Sequence, residues 1–382
     1  MTVTIPSIHY LVLLPTLILF GASLLLLVLS ALVRRPLRPV VGTTVTVLAS
    51  LATIGANLVQ WHDLDRHGAS TTIAHALVLD GFSVVATAVI AVSLGLSALV
   101  SQDWMTRARV VGVEYYVLAL AATAGAVLMT QANDLIVIFL GLEIMSIGLY
   151  VLVAFDRQRT RSAEAALKYF LLGSFASAIF VYGAALVYGA TGTTNLSSVA
   201  YFLGANVLLR PGLLWAGGAL LLVGFAFKVA AVPFHLWSPD VYEGAPTPVT
   251  GFMAAIVKVG AFAALLRVLV SALGTQLTTW RPILWALIAL TTLVGASLGI
   301  VQRNAKRMLA YSSINHAGFI LLGVWAGTVP GSTAALFYLA TYAPVVVASF
   351  AILTLPADQG EDRHDVAPPP ASTAAASTEN FA

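Results

Sequence analysis

Long apolar segments recur along almost the whole chain, and they restrict the fold more than any other feature of the sequence. Apolar stretches of about 17 to 25 residues are long enough to span the hydrocarbon core of a bilayer as helices. Eleven such segments cover residues 9–33, 40–60, 81–100, 113–130, 135–155, 166–189, 212–236, 249–272, 281–301, 308–328 and 333–355. The sequence therefore predicts an all-α, polytopic membrane protein with about eleven transmembrane helices.

The overall composition supports this fold class. The 382 residues are 59% hydrophobic and only 9% charged, with a mean hydropathy of +0.93. This composition leaves too little polar surface to coat a soluble globule of that size. The first segment is too long for a cleaved signal peptide and no basic residue precedes it, so we expect it to remain as a helix. Residues 356–382 are polar and rich in Pro, Ala, Ser and Thr, which predicts a disordered tail.

Basic residues are concentrated in alternate loops. With the N-terminus outside, the outer loops hold Arg66, Arg210 and Arg281. The inner loops then hold Arg34, Arg35, Arg38, Arg107, Arg109, Arg157, Arg159, Arg161, Arg303, Lys306 and Arg307. This asymmetry predicts an outside N-terminus by the positive-inside rule. The net charge of +3 thus reflects topology, and we expect no nucleic-acid partner because no basic stripe is interleaved with aromatic residues.

The sequence offers no sign of a redox centre. It contains no cysteine, which excludes disulfides and cysteine-ligated iron-sulfur clusters within it. No glycine-rich phosphate loop follows a predicted strand. We therefore expect neither cofactor nor metal in this chain, and any redox chemistry coupled to it would belong to another subunit.

Lysine and arginine are distributed differently. Of four lysines, Lys228 and Lys258 lie in the middle of apolar segments and Lys168 lies at the mouth of another, whereas nearly every arginine lies in a polar loop. Arginine keeps its proton in proteins, but burial readily drives lysine toward its neutral form. The pattern indicates that the membrane-embedded lysines handle protons.

Glu143, within FLGLEIMSIGLY, adds an acid at similar depth. An intramembrane charge costs about 2.5 to 3.5 kcal/mol on insertion scales unless it is paired or hydrated. The expected partner is a membrane lysine, because a nearby carboxylate favours the charged lysine and its removal favours the neutral one. The alternative is a static ion pair that joins two helices, although buried pairs add little net stability.

The segment LLVGFAFKVAAVPFHLWSPDVYEGAPTPVT predicts a broken helix. Pro233 lacks an N–H, so the carbonyl of Val229 loses its helical partner and the helix should break or kink just after Lys228. Freed backbone groups are tolerated at membrane depth only where protein or water satisfies them, as in the broken helices of transporters. His235, two helical turns from Lys228, is either a proton relay or an interfacial histidine bonded to the next loop.

Three further groups have two interpretations each. Asp240 and Glu243 are either solvated loop acids or a subunit contact. Lys168 follows Glu164 by four residues, which suits an ordinary exposed helix pair or a functional site equally. His316 belongs to the polar inset of MLAYSSINHAGF, which either holds a water chain and carries protons or joins helices by hydrogen bonds.

Four motifs carry a resemblance to a known family: GLEIMSIGLYVLVAF, EAALKYFLLGSFASAIFVYG, FKVAAVPFHLWSPDVYEGAPTPVTGFMAAIVKVGAF and NAKRMLAYSSINHAGF. In order and spacing they resemble subunit N of the proton-pumping NADH:quinone oxidoreductases, respiratory complex I, over about residues 9–355. The resemblance implies an antiporter-like membrane-arm subunit of the bacterial plasma membrane that couples quinone reduction elsewhere to proton translocation. It also implies that other subunits bind NADH, FMN, iron-sulfur clusters and quinone, and that membrane-arm subunits are partners.

By motif, Glu143 matches the family's glutamate of the fifth helix, Lys228 the lysine of the broken seventh helix and Lys258 the central lysine of the eighth. His235 lies in the PFHLW motif. In that mechanism Lys228 passes its proton toward Lys258 when its pairing with Glu143 changes.

The resemblance implies a fold of fourteen helices built from two inverted repeats, each with a broken helix. We do not find the broken helix of the second repeat in this sequence. We therefore expect helices 1–3 in residues 1–112, a first repeat in 113–272, an incomplete second repeat in 281–355 and the tail in 356–382. Alternatives are a subunit of a cation/proton antiporter or membrane-bound hydrogenase, and an assembly scaffold that transports nothing.

Overall fold

The computed structural model describes residues 8–355, apart from 34–35, 111 and 209–210. Within this part of the chain, ten helices are long and apolar enough to cross a membrane. The α-helices are α1 (Tyr10–Leu32), α2 (Pro39–His67), α3 (Gly81–Arg107), α4 (Glu114–Gln131), α5 (Leu135–Val153), α6 (Thr160–Thr191), α7 (Leu196–Ala205), α8 (Gly212–Val229), α9 (Trp237–Gly244), α10 (Thr247–Phe252), α11 (Lys258–Leu266), α12 (Leu277–Ile300), α13 (Ala305–Ala326) and α14 (Val329–Thr354). The predicted tail, Arg34, Arg35 and Arg210 lie outside the described residues.

The all-α, polytopic fold is confirmed. Each of the eleven predicted segments overlaps a helix of the bundle. The segment that is not among the ten candidate spans is α4, an 18-residue helix that begins at Glu114 and ends at Gln131. Most residues of α4 are buried against neighbouring helices. The polar residues at its two ends reduce the apolar length of a helix that nevertheless belongs to the core.

One small feature was not predicted, a two-stranded antiparallel hairpin formed by Ser70–Thr72 (β1) and Leu77–Leu79 (β2). The carbonyl of His75 in its turn accepts hydrogen bonds from Asn133 at 3.0 Å and Asn195 at 2.9 Å. The hairpin thus joins the connections that follow α2, α4 and α6 on one side of the bundle, here called the hairpin face. Strands of three residues in a short polar loop carry too little periodicity for prediction.

The helix Thr247–Ala272 forms the centre of the bundle. In an apolar 18-residue stretch of this helix 94% of the residues are buried, against 28 to 56% in the other candidate spans. It consists of α10 and α11 with two π-helical turns, Met253–Val257 and Arg267–Ala272. Lys258 follows the first π-helical turn directly. Such turns change the direction in which side chains project and are frequent at functional sites.

The predicted break after Lys228 is confirmed. α8 ends at Val229, and Ala230 adopts a left-handed conformation with φ of 58°. The freed backbone groups bind side chains: the indole Nε1 of Trp237 donates to the carbonyl of Phe227 at 2.9 Å, and the amide of Val232 donates to Thr291 at 2.9 Å. Protein groups therefore satisfy the backbone at the break, as a polar interruption at membrane depth requires.

Glycines allow the helices around the break to approach closely. A Cβ atom added to Gly183 of α6 would lie 2.8 Å from the amide nitrogen of Leu221 in α8. A Cβ atom on Gly141 of α5 would lie 2.8 Å from the carbonyl oxygen of Gly125 in α4. Small residues commonly permit such contacts between membrane helices. These crossings hold α8, which carries Lys228, and α5, which carries Glu143, against their neighbours.

Candidate functional site

Lys228, at the end of α8, is buried, with 4% of its surface exposed. Its Nζ donates to the hydroxyl of Ser146 at 2.7 Å and to that of Tyr169 at 3.1 Å. The Nζ also lies 5.2 Å from the centre of the Tyr169 ring. Lys228 is thus held by hydroxyls and an aromatic face, and these groups are neutral.

Glu143 is half-buried on α5 and does not form a direct ion pair with Lys228 in the described part of the chain. Its carboxylate instead accepts a hydrogen bond from Ser177 of α6. Ser146 follows Glu143 by three residues, so both side chains lie on the same face of α5. The expected Glu143 and Lys228 pair is therefore indirect, with serines between the two charges.

A small cavity lies at this junction. Its volume is about 10 Å³ and its lining includes Ser146, Ser177 and Lys228. That volume is about enough for one water molecule. Ser177, which binds Glu143, and Ser146, which binds Lys228, thus border the same space.

Lys258 occupies a second buried site, with 3% of its surface exposed. Its Nζ donates to the backbone carbonyl of Ser313 in α13 and lies 5.2 Å from the centre of the Tyr342 ring in α14. The Tyr342 hydroxyl donates to the hydroxyl of Ser313 at 2.8 Å. The hydrogen-bond partner of Lys258 thus lies on another helix, and it is again neutral.

His316 borders the surroundings of Lys258. Its ring centre lies 5.0 Å from that of Tyr342, and its Nδ1 lies 2.6 Å from the hydroxyl of Tyr338. The imidazole is half-buried. Ser313 and His316 are three residues apart on α13, so both side chains lie on the face of this helix that is near Lys258.

His235 lies in the break between α8 and α9. It is buried, and its Nδ1 has no hydrogen-bond partner among the described residues. Its carbonyl accepts from the amide of Ser238 at 2.9 Å. Since α8 ends at Val229, the helical spacing that placed His235 on the face of Lys228 does not extend to it.

Lys168 lies on the opposite side of the bundle from the hairpin face and is exposed. It pairs with Glu164 at 2.7 Å, as the spacing predicted, and with Asp240 at 3.1 Å. Asp240 also binds Arg307 at 2.8 Å. Glu243 binds Arg307 at 2.9 Å. These five residues, here called the α9 ion cluster, join α9 to α6 and α13.

The cluster corrects the interpretation of Asp240 and Glu243 as solvated loop acids. Both lie on the helix α9, and both bind groups of this same chain. Partial burial of Asp240 favours its neutral form, but hydrogen bonds from Arg307 and Lys168 outweigh it, so the pKa of this carboxyl lies below its ordinary value. Asp240 therefore keeps its negative charge near neutral pH.

Sequence reasoning missed Arg267, an arginine buried inside a predicted membrane segment. Two of its nitrogens bind the two oxygens of Asp80 at 3.0 and 2.8 Å, and its Nε donates to the carbonyl of Thr130 at 2.7 Å. The contact lies on the hairpin face. Two features of the sequence could have predicted this ion pair: Asp80 lies just before the third apolar segment, and Arg267 lies near the end of the eighth.

The hydroxyl-bearing residues around Glu143 and the two lysines were also missed. Ser146 was predictable from its spacing to Glu143. Ser177, Tyr169 and Tyr342 lie on other helices and had no comparable signal. Among the residues that the structure describes, no group of three or more His, Asp or Glu side chains is arranged to hold a metal ion.

A buried lysine beside a broken membrane helix, with a second buried lysine in the central helix, is an arrangement typical of ion-translocating membrane proteins. Residues 132–365 match the family described as NADH:quinone oxidoreductase/Mrp antiporter, transmembrane. NADH-quinone oxidoreductase subunit N of Trichlorobacter lovleyi is 44% identical over 291 residues, which cover 76% of this chain and 60% of the relative. Subunit N of Salinispora arenicola is 42% identical over 386 residues, covering 94% and 75%.

The fold has a solved counterpart in respiratory complex I from Thermus thermophilus with bound aureothin. The TM-score is 0.74 at 36% sequence identity, over 89% of this chain and 70% of the matched chain. The chain belongs to the NADH-quinone oxidoreductase subunit N family. The resemblance drawn from the motifs is confirmed. The matches span 60% and 75% of the length of the two relatives named.

Proposed function

We propose that this chain is a proton-translocating membrane-arm subunit of an NADH:quinone oxidoreductase. Electron transfer from NADH to quinone would occur in other subunits, which would bind FMN and the iron-sulfur clusters. The relatives carry the name of this subunit, which supports the proposal. Its partners would be other membrane-arm subunits, in a bacterial plasma membrane, with the N-terminus outside.

The observation that carries the proposal is that two buried lysines have neutral partners. Lys228 contacts hydroxyls and Lys258 contacts a backbone carbonyl. A serine hydroxyl can accept from an ammonium or donate to a neutral amine by rotation. Loss of the proton from Lys228 therefore leaves no buried charge without a partner, so both protonation states are compatible with the structure.

Glu143 would control the first lysine. Its charge favours the protonated form of Lys228 across the two serines, and neutralisation of Glu143 would favour release of the proton toward Lys258. His316, beside Tyr342, would continue the path beyond Lys258. His235, whose Nδ1 has no hydrogen-bond partner among the described residues, would act at the end of the path opposite the hairpin face. Lys168 would support that end of the path by holding α9 in position through the α9 ion cluster.

The energetic requirement is moderate. Moving one charge against a membrane potential costs about 2.3 kcal/mol per 100 mV. One pKa unit corresponds to about 1.4 kcal/mol of difference between the protonated and neutral forms. A change of a few units, driven by movement or neutralisation of Glu143, would therefore cover the transfer of one proton.

The test is proton pumping by NADH-energised membrane vesicles that carry Lys228→Ala, with assembly of the complex measured by native gel. We expect an assembled complex that no longer pumps. Undiminished pumping would contradict the role of Lys228 and favour an assembly scaffold. Pumping that does not require NADH oxidation would favour a cation/proton antiporter.

A further inference from the structure

The two lysine sites share one structural element, the eight-residue helix α9. At its start, Trp237 stacks on Tyr169, the tyrosine that binds Lys228, with ring centres 4.6 Å apart and planes at 16°. Near its end, Tyr242 approaches Ser313, the residue that binds Lys258. A short buried helix therefore contacts the partners of both lysines.

We propose that the hydroxyl of Tyr242, together with that of Ser313, carries the proton from the Lys228 side of the molecule to Lys258. The inference rests on the proposed function, because it assigns a residue to the step between the two lysines. It identifies Tyr242 as a catalytic group that handles the transported proton.

The geometry around Ser313 supports this step. Its hydroxyl oxygen lies 3.5 Å from the hydroxyl of Tyr242 and 2.8 Å from that of Tyr342. All three side chains are buried. Each hydroxyl can both donate and accept, so rotation of the hydroxyls can reverse the order of the protons. Two phenol groups converge on one serine whose backbone already holds the lysine.

A second buried hydroxyl, that of Ser238, lies on the side of Tyr242 from which the proton would arrive. Ser238 precedes Tyr242 by four residues and thus lies on the same face of α9. Its hydroxyl is close to that of Tyr242 but forms no hydrogen bond of ordinary geometry with any described residue. A buried hydroxyl without a hydrogen-bond partner is unfavourable. Ser238 therefore offers, beside Tyr242, a second hydroxyl that can both donate and accept a proton.

The transfer balances without a co-reactant. An arriving proton binds a lone pair of the Tyr242 oxygen, and the original proton of that hydroxyl moves to the oxygen of Ser313. The neutral Lys258 amine, which contacts the backbone carbonyl of the same serine, then turns its lone pair toward the serine hydroxyl and takes the proton that this hydroxyl releases. Each O–H bond that breaks is replaced, and the net result is one protonated lysine. Rotation of the hydroxyls restores the starting orientation.

The test compares Tyr242→Phe with Tyr116→Phe in NADH-energised vesicles. Tyr242→Phe removes the hydroxyl and keeps the ring that contacts Trp237 and Phe350. We expect proton pumping per assembled complex to fall at least about tenfold, the low end for loss of a proton-transfer group. Tyr116 is also buried and its hydroxyl binds Thr43 at 2.7 Å, far in sequence from either lysine, so its variant should pump normally.

Ser313→Ala provides a second measurement, because it deletes the hydroxyl and preserves the carbonyl that binds Lys258. It should reproduce the loss seen for Tyr242→Phe. A relay also predicts that the remaining pumping of either variant shows a changed solvent deuterium isotope effect, which a purely structural role would leave as in the unmodified protein.

The outcomes separate the inference from the function on which it rests. Normal pumping by Tyr242→Phe, while Lys228→Ala fails to pump, overturns the relay and leaves the proposed function intact. Normal pumping by Lys228→Ala removes the proposed function and the relay with it. If Tyr242→Phe fails to assemble, Ser313→Ala decides: loss of pumping supports the relay and normal pumping overturns it.

Discussion

Lysines on membrane-length helices occur here in two kinds of surroundings. Lys168 is exposed and lies within 2.7 and 3.1 Å of two carboxylates. Lys228 and Lys258 are buried and contact hydroxyls, a carbonyl and aromatic rings. The same side chain is thus tied to fixed negative charges in one region and to neutral acceptors in the other.

The difference explains what each lysine can do. An adjacent carboxylate stabilises the ammonium and opposes release of its proton, whereas burial among neutral groups makes the neutral amine accessible. Lys168 is therefore suited to hold α9 in position. Lys228 and Lys258 are suited to exchange protons, and the indirect placement of Glu143 allows its charge to act without locking Lys228 in an ion pair.

The largest predicted effect comes from replacing a buried lysine by arginine. Lys228→Arg or Lys258→Arg keeps the positive charge but removes the ability to release a proton, since arginine stays protonated in proteins. We expect proton pumping per assembled complex to fall at least about tenfold for each variant. The measurement is NADH-driven acidification of vesicles, normalised to the amount of complex on a native gel.

Lys168→Arg is the matched control for this comparison. Arginine can form the same ion pairs with Glu164 and Asp240, because these contacts require only a positive charge. Pumping should stay within about twofold of the unmodified protein, as is usual for exposed ion pairs of small energy. A Lys258→Arg variant that pumps normally would show that deprotonation at this position is not part of the mechanism.

A smaller effect is predicted for Ser146→Ala. The substitution removes the hydroxyl that binds Lys228 at 2.7 Å and leaves Tyr169 as its hydrogen-bond partner. Loss of one hydrogen bond to a buried charge costs about 1 kcal/mol or more, which corresponds to a roughly fivefold slower step. Pumping should decline by about that factor, measured in the same vesicles.

Ser174→Ala serves as the control for Ser146→Ala. Ser174 is exposed on α6 and its hydroxyl donates to the carbonyl of Phe170 within the same helix. Its removal should leave pumping unchanged. Equal effects of the two alanine variants would mean that the contact between Ser146 and Lys228 does not contribute to transfer.

Those features of the site that depend on local chemistry were predictable from the sequence. The break follows from Pro233 and the position of Lys228 before it, because a proline removes a defined hydrogen bond of its own helix. The membrane depth of Lys228, Lys258 and Glu143 follows from the length of the apolar segments around them. These inferences require no knowledge of how the helices pack.

The remaining features depend on contacts between helices distant in sequence. Ser177 binds Glu143 across 34 residues and Tyr342 binds Ser313 across 29. Hydrophobic periodicity identifies helices but does not state which faces meet. The π-helical turn before Lys258 carries no proline or glycine pair that marks it, and it is stabilised by packing in the most buried helix of the bundle.

Arg267 shows how a general pattern can conceal an exception. Most arginines lie in loops, and that pattern did not predict a role for Arg267 within the eighth segment. Its ion pair with Asp80 nevertheless holds the central helix to α3. Its position near the segment's end reduces the cost of its charge, and the bidentate geometry satisfies two of its nitrogens. An isolated charge inside an apolar segment is best interpreted together with acids at the ends of other segments.

The smallest predicted effect concerns the α9 ion cluster. Asp240→Asn leaves Lys168 paired with Glu164 and Arg307 paired with Glu243. The Asp240 side chain is 39% exposed, so solvent screens the lost pairs and limits the cost to at most about 1 kcal/mol. Pumping should be unchanged, and the complex should dissociate at a slightly lower temperature on native gels after heating.

The pH dependence of this difference identifies its source. Because the pKa of Asp240 is lowered in the folded protein, its contribution to stability is complete above the ordinary carboxyl pKa of about 3.9 and is lost as the pH falls through the lower folded value. The difference in dissociation temperature between Asp240→Asn and the unmodified protein should thus be constant from about pH 5 to 8 and decrease below about pH 4. A difference that instead varies between about pH 6 and 8 would assign the effect to another titrating group. It would also remove the contrast between a charged Lys168 region and the two lysines that we propose exchange protons.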